Sequence, residues 1–562
     1  MLICGVNITH DAGVAVVDGS RLVFSTEVEK LCDNRRYSQL GDLERILDIL
    51  RGEGIDPTDV DCFAVNGWYA GGARPAAMVT ASQHGSPLSI PVAPYVVSGA
   101  GRGQLHRHLF AGIDGGPLRG GYVSYAHASA HVLASYSTSP FAARGEPSLV
   151  VAWDGLMSPC LYTVSGGGFS IKLAGPLFPV LGDVFVEFCK NLDPFRHDTT
   201  RMNEQEAEQQ HLEVPGKAMA FAALGTAEPN VFPVIGRVLR ELTQASFDST
   251  VGKGLAERVN ELSPGMSDAD LIATFQAYLG NELLDGLAAT LRRRPEWGRP
   301  NLCLTGGCAL NIKWNSLLRD SGLFASIWVP PFPNDCGSAI GAACCEMASQ
   351  TGKAALAWDV YSGPTLDGAG LPGTWLARPC DERALGVLLH EVGEPVAVLH
   401  GRAELGPRAL GNRSILAPAT DPAMKDRLNQ IKRRASYRPV APVCLESRAS
   451  EIFDPGGPDP YMLFEHRPRT GWAERIPAVV HLDGSARLQT VDPAKAGTKV
   501  GRILHEYARV SGIPVLCNTS ANSPGRGFFS STAAAESWGR VPFIWSDGML
   551  YSNPGQTRPE RT

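Results

Sequence analysis

The strongest constraint on this chain is a pattern that occurs twice. Leu2 to Ile8 is an apolar, strand-like run ending in the polar turn Thr9-His10-Asp11; Gly13 to Gly19 returns as a second strand and Arg21 to Thr26 leaves as a third. Asp18-Gly19 stands where a tight hairpin needs positive φ. The same layout restarts at Ser148 with SLVVAWDG, LYTVSGGG and FSIKLAG. Two copies of strand, acid-bearing turn and hairpin predict an α/β protein with two similar lobes. Asp268 to Arg293 has helical spacing, NLCLTGG reads as a strand entering a glycine turn, and NDCGSAIGAACCEMA as a polar turn before a helix of small residues.

Length adds a second domain, because 562 residues exceed what one core organises. The pattern dissolves after Gln350 into turn residues. The predicted domains are 1–352 and 379–562, with 353–378 as connector. The second restarts with a helix (Glu382 to Gly393) and a strand (Pro395 to His400).

A net charge of −6 from 51 basic and 57 acidic side chains gives no global case for nucleic acid or an anionic membrane. The 13 cysteines form no C-x-x-C pair, so neither a disulfide framework nor a thiolate zinc site is expected. Free thiols, an N-terminus without signal-peptide character and the lack of a long apolar run predict a cytoplasmic chain.

Several constellations point to chemistry. His127 and His131 are four residues apart in an alanine-rich helix, on one face. Asp154 and Asp335 follow predicted strand and turn ends, and two histidines with two carboxylates suit a divalent metal: Fe(II), Mn, Zn or Mg. His10 and Asp11 follow the first strand, where an imidazole could act as general base or the pair could simply cap a turn. Gly306, Gly307 and Cys308 offer amides for an anion, with Asn311 aimed at the same place. Lys217 is either a phosphate contact or a solvated lysine.

The densest signal lies in the second domain, where Arg402, Arg408, Arg413, Lys432, Arg433, Arg434 and Arg438 fall within 37 residues. Arg433 and Arg434 read as a solvated face, whereas Arg408 and Arg413 are embedded in apolar residues and read as phosphate or carboxylate ligands. Arg487 and Gln489, then Asn518, Thr519, Ser520 and Asn522, add polar groups on strands. Together they predict a cleft for two polyanions, a nucleotide and a small acyl phosphate.

The paired strand-and-turn lobes resemble the fold shared by actin, sugar kinases and chaperone ATPases. The ordered motifs HDAG, HASAH, GKAMA, LTGGCALN, NDCGSAIGAA, GPRALGNRSIL, KDRLN, YRPVAP, PYM, HLDGSARLQTV and PVLCNTS resemble the O-carbamoyltransferases of natural-product biosynthesis. The resemblance implies an N-terminal domain similar to the tRNA-threonylcarbamoyl transferase and a smaller YrdC-like C-terminal domain. It further implies ATP and carbamoyl phosphate as co-substrates, carbamoyl adenylate as intermediate and a small-molecule hydroxyl as acceptor. His127, His131, Asp154 and Asp335 would hold an iron-type metal and His10 would be the base. Arg408, Lys432, Arg438, Arg487 and Asn518 would contact carbamoyl phosphate and ATP. The chain departs from the family in Ala521 after Asn-Thr-Ser and in the GRGFF stretch at 525–529. EVEKLCDNRRYSQL and Asn66-Gly67-Trp68 resemble the subgroup acting on cephem-like acceptors. Two other readings are carbamoyl transfer in tRNA modification or hydrogenase maturation, disfavoured by charge and the missing C-x-x-C fingers, and an actin-fold nucleotide-binding module without catalysis.

Overall fold

The computed structural model describes all residues except 33, 70–76, 98–102, 167–168, 198–201, 368–373, 495–498 and 557–562. The chain divides into two compact units, Met1–Val28 with Tyr37–Asp359, and Glu29–Arg36 with Val360–Thr562. The main division falls inside the 353–378 stretch. Residues Glu29–Arg36, within the predicted first domain, are grouped with the second unit, which no local sequence pattern indicates.

The first unit carries two sheets of like topology. One runs Arg21–Glu27, Gly13–Asp18, Leu2–Asn7, Cys62–Asn66, Tyr122–Tyr125, His108–Phe110; the other runs Ser170–Pro176, Cys160–Ser165, Ser148–Ala152, Asn301–Thr305, Ser326–Trp328. In each, the first three strands in sequence form an antiparallel meander, and the next pairs in parallel with the first of them. This is the duplicated topology of the actin and sugar-kinase fold, so the repeat seen at Leu2 and Ser148 is real. Gly19 has φ 60° at the expected hairpin.

Two helices carry the metal candidates. His127–Ser137 is buried at every position, which its alanines and serines allow because they present little volume and no charge. Ser338–Thr351 is buried from Ser338 to Ala348, its small and apolar residues interrupted by Glu346, which Arg107 and Tyr125 satisfy, and it packs against both the first helix and the strand Leu2–Asn7. Asp335 lies in the turn that opens it. The predicted helix Asp268–Arg293 forms with both ends as read, started by a reciprocal Ser267–Asp270 capping box.

The second unit is built on one eight-stranded mixed sheet, in which Arg413–Pro418, Val515–Ser520 and Ala441–Leu445 are neighbours. Its inner strands bury every residue or nearly so, as central strands covered on both faces do. All 13 cysteines are free, and among the described residues no helix is long and apolar enough to cross a membrane.

Candidate metal centre and anion site

In the first unit the four predicted ligands converge. His127 Nε2 lies 3.0 Å from His131 Nε2, 3.3 Å from Asp335 Oδ1 and 3.5 Å from Asp154 Oδ2. His131 Nε2 is 3.1 Å from Asp335 Oδ1, and the four ligand atoms all fall within 4.8 Å of one another. Both histidines are fully buried, and neither Asp335 oxygen accepts a hydrogen bond of good geometry. Two carboxylates and two imidazoles aimed at one buried point, with acceptors left over, fit a divalent ion. Burial disfavours charge on His131, but Asp154 and Asp335 outweigh it and raise the ring to about 10; the histidines in turn hold both carboxyls well below the usual range.

Surrounding groups orient these ligands. His127 Nδ1 is 3.0 Å from the Asn66 amide, which also reaches Asn7. Tyr95 donates its hydroxyl to Asp154 Oδ2 at 2.5 Å and its ring packs on His127, while Trp68 abuts His10, Tyr95 and His127. His10 joins the cluster: Nδ1 lies 3.2 Å from Asp11 Oδ2 and Nε2 3.6 Å from Asp335 Oδ2. Burial lowers its affinity for a proton, yet Asp335 and Asp11 prevail and raise it to about 10. Asp11 has a left-handed φ of 52° and is held by Asn334 and Cys336. His211 packs between Asp183 and Glu187, and the Gly182 and Asp183 amides donate to the Asp154-Gly155 backbone.

The glycine turn is not the anion cradle its pattern suggests. Gly306 donates its amide to Pro333 O, Gly307 to Asp154 Oδ1 and Cys308 to Trp153 O, so all three are committed within the fold. Gly306 is required at φ 85°, where a Cβ would come within 2.2 Å of Trp153 O. Asn311 caps the helix Ile312–Asp320 through Oδ1 and donates to Gln276. The turn's contribution is to hold Asp154. Lys217 is half-buried and paired with Glu213 at 2.7 Å.

The second unit gathers cations. Burial, and then the neighbouring charges of Arg438 and Arg434, pull the Arg487 guanidinium down to about 10, with Asp459 opposing them. Lys432 is buried and held well below the usual lysine range by desolvation, Arg434 and Arg36. Its Nζ donates to Ser520 O and Asn522 O at 2.7 Å and to Asn522 Oδ1. Asn518 donates to Ala409 O and Gln489 Oε1, and Gln489 to Leu410 O, tying both to the turn that carries Arg408. Asn518 Oδ1 and Arg487 Nε are buried without hydrogen-bond partners among the described residues.

Two arginines exchange roles relative to the sequence reading. Arg413 is 1% exposed and spends its guanidinium on the carbonyls of His400, Asn412 and Gly401, so it braces the backbone rather than gripping an anion. Arg434 is no solvated residue: it donates to Asn429 Oδ1 at 2.5 Å and burial beside Arg438 pulls it down to about 9. Arg434 therefore joins the candidate site, where Ser520 and Asn522, expected there from the sequence, accept from Lys432. The buried Glu404 organises it from behind, its Oε1 accepting from the amides of Leu410, Asn412 and Arg413. Glu404→Leu should cost about 4 kcal/mol in the urea transition of this unit, because three buried donors lose their acceptor.

The sequence matches the family "Carbamoyltransferase N-terminus" over residues 2–100 and 118–344, and "Carbamoyltransferase C-terminus" over 388–539. It is 44% identical to nodulation protein U of Sinorhizobium fredii, covering 99% of this chain and all of that one. It is 34% identical to 3'-hydroxymethylcephem-O-carbamoyltransferase of Streptomyces clavuligerus over 94% of each chain. Among solved structures, an activator of 2-hydroxyisocaproyl-CoA dehydratase from Clostridium difficile covers 63% of this chain and 97% of its own, at 13% identity and a TM-score of 0.33. With both family regions matched in order and these relatives aligned over nearly the whole chain, the chain belongs to the carbamoyltransferase family and is a carbamoyltransferase.

Proposed function

We propose that the chain is an ATP-dependent O-carbamoyltransferase acting on a hydroxyl of a small-molecule natural product. The observation that supports this most is the cation cluster of the second unit, Lys432, Arg434, Arg438 and Arg487, whose mutual repulsion a polyphosphate would relieve. In a carbamoyltransferase such a site is suited to ATP and carbamoyl phosphate. Water releases inorganic phosphate from carbamoyl phosphate, the resulting carbamate oxygen attacks the α-phosphorus of ATP, and pyrophosphate leaves. The acceptor oxygen then attacks the carbonyl carbon of the carbamoyl adenylate and AMP departs, giving the carbamate ester.

Transfer is assigned to the first unit. When bound to His127, His131, Asp154 and Asp335, a divalent ion would supply a Lewis acid for the carbamoyl group and offset the two carboxylates. With Asp335 so offset, His10 would lose one of the carboxylate influences that hold it protonated, and Asp11 keeps its ring oriented to take the acceptor's proton. Tyr95 and Trp68 wall the centre and limit water, which would otherwise hydrolyse the adenylate. The S. clavuligerus relative, named for a hydroxymethyl acceptor, supports an alcohol as the group attacked.

Incubation with ATP and carbamoyl phosphate should release pyrophosphate, and adding an alcohol such as a 3'-hydroxymethylcephem should release AMP with a carbamate ester. Failure to form pyrophosphate with metal-loaded protein would overturn the adenylate route.

A further inference from the structure

The loop at 525–529 holds a segment from far upstream. Within the second unit, Arg36 donates its amide to Gly525 O and Gly527 donates to Asn34 O, both at 3.0 Å, and Arg35 bridges Arg526 in antiparallel fashion. A Cβ on Gly527 would come within 1.7 Å of Glu29 O, so only glycine lets the segment lie this close. Asn522 donates to Arg526 O at 2.7 Å and its own oxygens receive Lys432, so Arg526 and Asn522 link the docked segment to the cation cluster.

The segment touches the other half of the same site. Lys30 is 2% exposed, and its Nζ donates to Glu404 O at 2.5 Å and Gly406 O at 2.9 Å, 5.0 Å from the Phe528 ring centre. Those carbonyls begin the turn that carries Arg408. Glu404 Oε1 receives amides from beyond Arg408, so the turn is fastened on both sides of that arginine. Arg36 contributes to the positive field on Lys432, together with Arg434.

We propose that Glu29–Arg36 is a working part of the second unit's anion site: Arg36 adds a cation for the phosphates of a nucleoside triphosphate, and Lys30 is a positioning residue for the Arg408 turn. The consequence is that residues 360–562 do not make this site by themselves. The inference rests on the reading of the site as one for ATP.

The test is ATP binding to the full chain by titration calorimetry, with metal content and melting temperature as controls. Arg36→Ala should weaken ATP about tenfold and flatten the salt dependence of Kd by about one charge, and Arg36→Lys should restore most of both. Gly527→Ala should weaken ATP at least as much without removing any cation, because it pushes the segment off its loop. Lys30→Met should raise KM for carbamoyl phosphate more than it lowers kcat, whereas a merely structural lysine would lower the melting temperature and leave that KM unchanged. Wild-type protein that binds ATP while Arg36→Ala and Gly527→Ala bind it equally well overturns this inference alone. Wild-type protein that binds no ATP overturns the adenylate reading and this inference with it.

Discussion

Replacing His127 by alanine is expected to empty the metal centre, taking bound metal from near one ion per chain to less than about a tenth and carbamoyl transfer down by about 10³-fold or more. The ring is wholly buried, so neither solvent nor a neighbouring side chain supplies the missing nitrogen. Its removal also takes away one of the imidazoles that face Asp154 and Asp335, at a cost of about 3 kcal/mol in the stability of the first unit. Pyrophosphate formation should stay within about twofold of wild type, because every residue assigned to it belongs to the second unit. Asn66→Leu should reproduce a milder form, with metal affinity down about 10- to 100-fold, since the amide fixes the Nδ1 side of His127. Elemental analysis of the purified variants decides the matter, and undiminished metal in His127→Ala would remove the ligand set from consideration.

The convergence of His127, His131, Asp154 and Asp335 was legible because each residue is announced by a local rule. A four-residue spacing in a helix of small residues stacks His127 over His131, and a carboxylate just past a buried strand or turn faces the end of a sheet. The repeat was legible for a similar reason: hairpins are written in a few consecutive residues, and the duplicated topology follows from them. Gly306, Gly307 and Asn311 were misread because an amide-rich turn looks the same whether its N–H groups are free or taken. What takes them, Asp154 and the carbonyls of Trp153 and Pro333, lies elsewhere in the sequence.

The same limit governs the basic residues. Arg413 in an apolar setting and Arg434 in a charge run differ in sequence in the sense opposite to their use, since three carbonyls saturate the first and the second faces other cations. Local hydropathy reports how much water a side chain loses, not which acceptors it finds. The Lys30 segment was invisible for the further reason that its partners are more than 370 residues away.

Arg487→Met is expected to abolish the response of the second unit to ATP while making the ligand-free protein more stable. Arg487 is buried and crowded by Arg438 and Arg434, its Nε has no hydrogen-bond partner among the described residues, and the acid Asp459 opposes these cations. Asp459 is engaged with the amides of Leu463 and Phe464. A cation kept in such surroundings destabilises the empty site, so an apolar side chain of similar length should raise its unfolding free energy by about 1 kcal/mol. Arginine bound to phosphate forms charge-assisted hydrogen bonds that methionine cannot, so ATP should bind about 10²-fold more weakly and pyrophosphate formation should fall at least as far. Opposite signs for the two effects separate an anion ligand from a structural arginine such as Arg413, whose loss should lower stability with or without ATP because three backbone carbonyls lose their donor. Thermal unfolding of Arg487→Met and Arg413→Met, each with and without ATP, is the measurement. A drop in stability of ligand-free Arg487→Met matching that of Arg413→Met would show that Arg487 braces the fold instead of receiving the nucleotide.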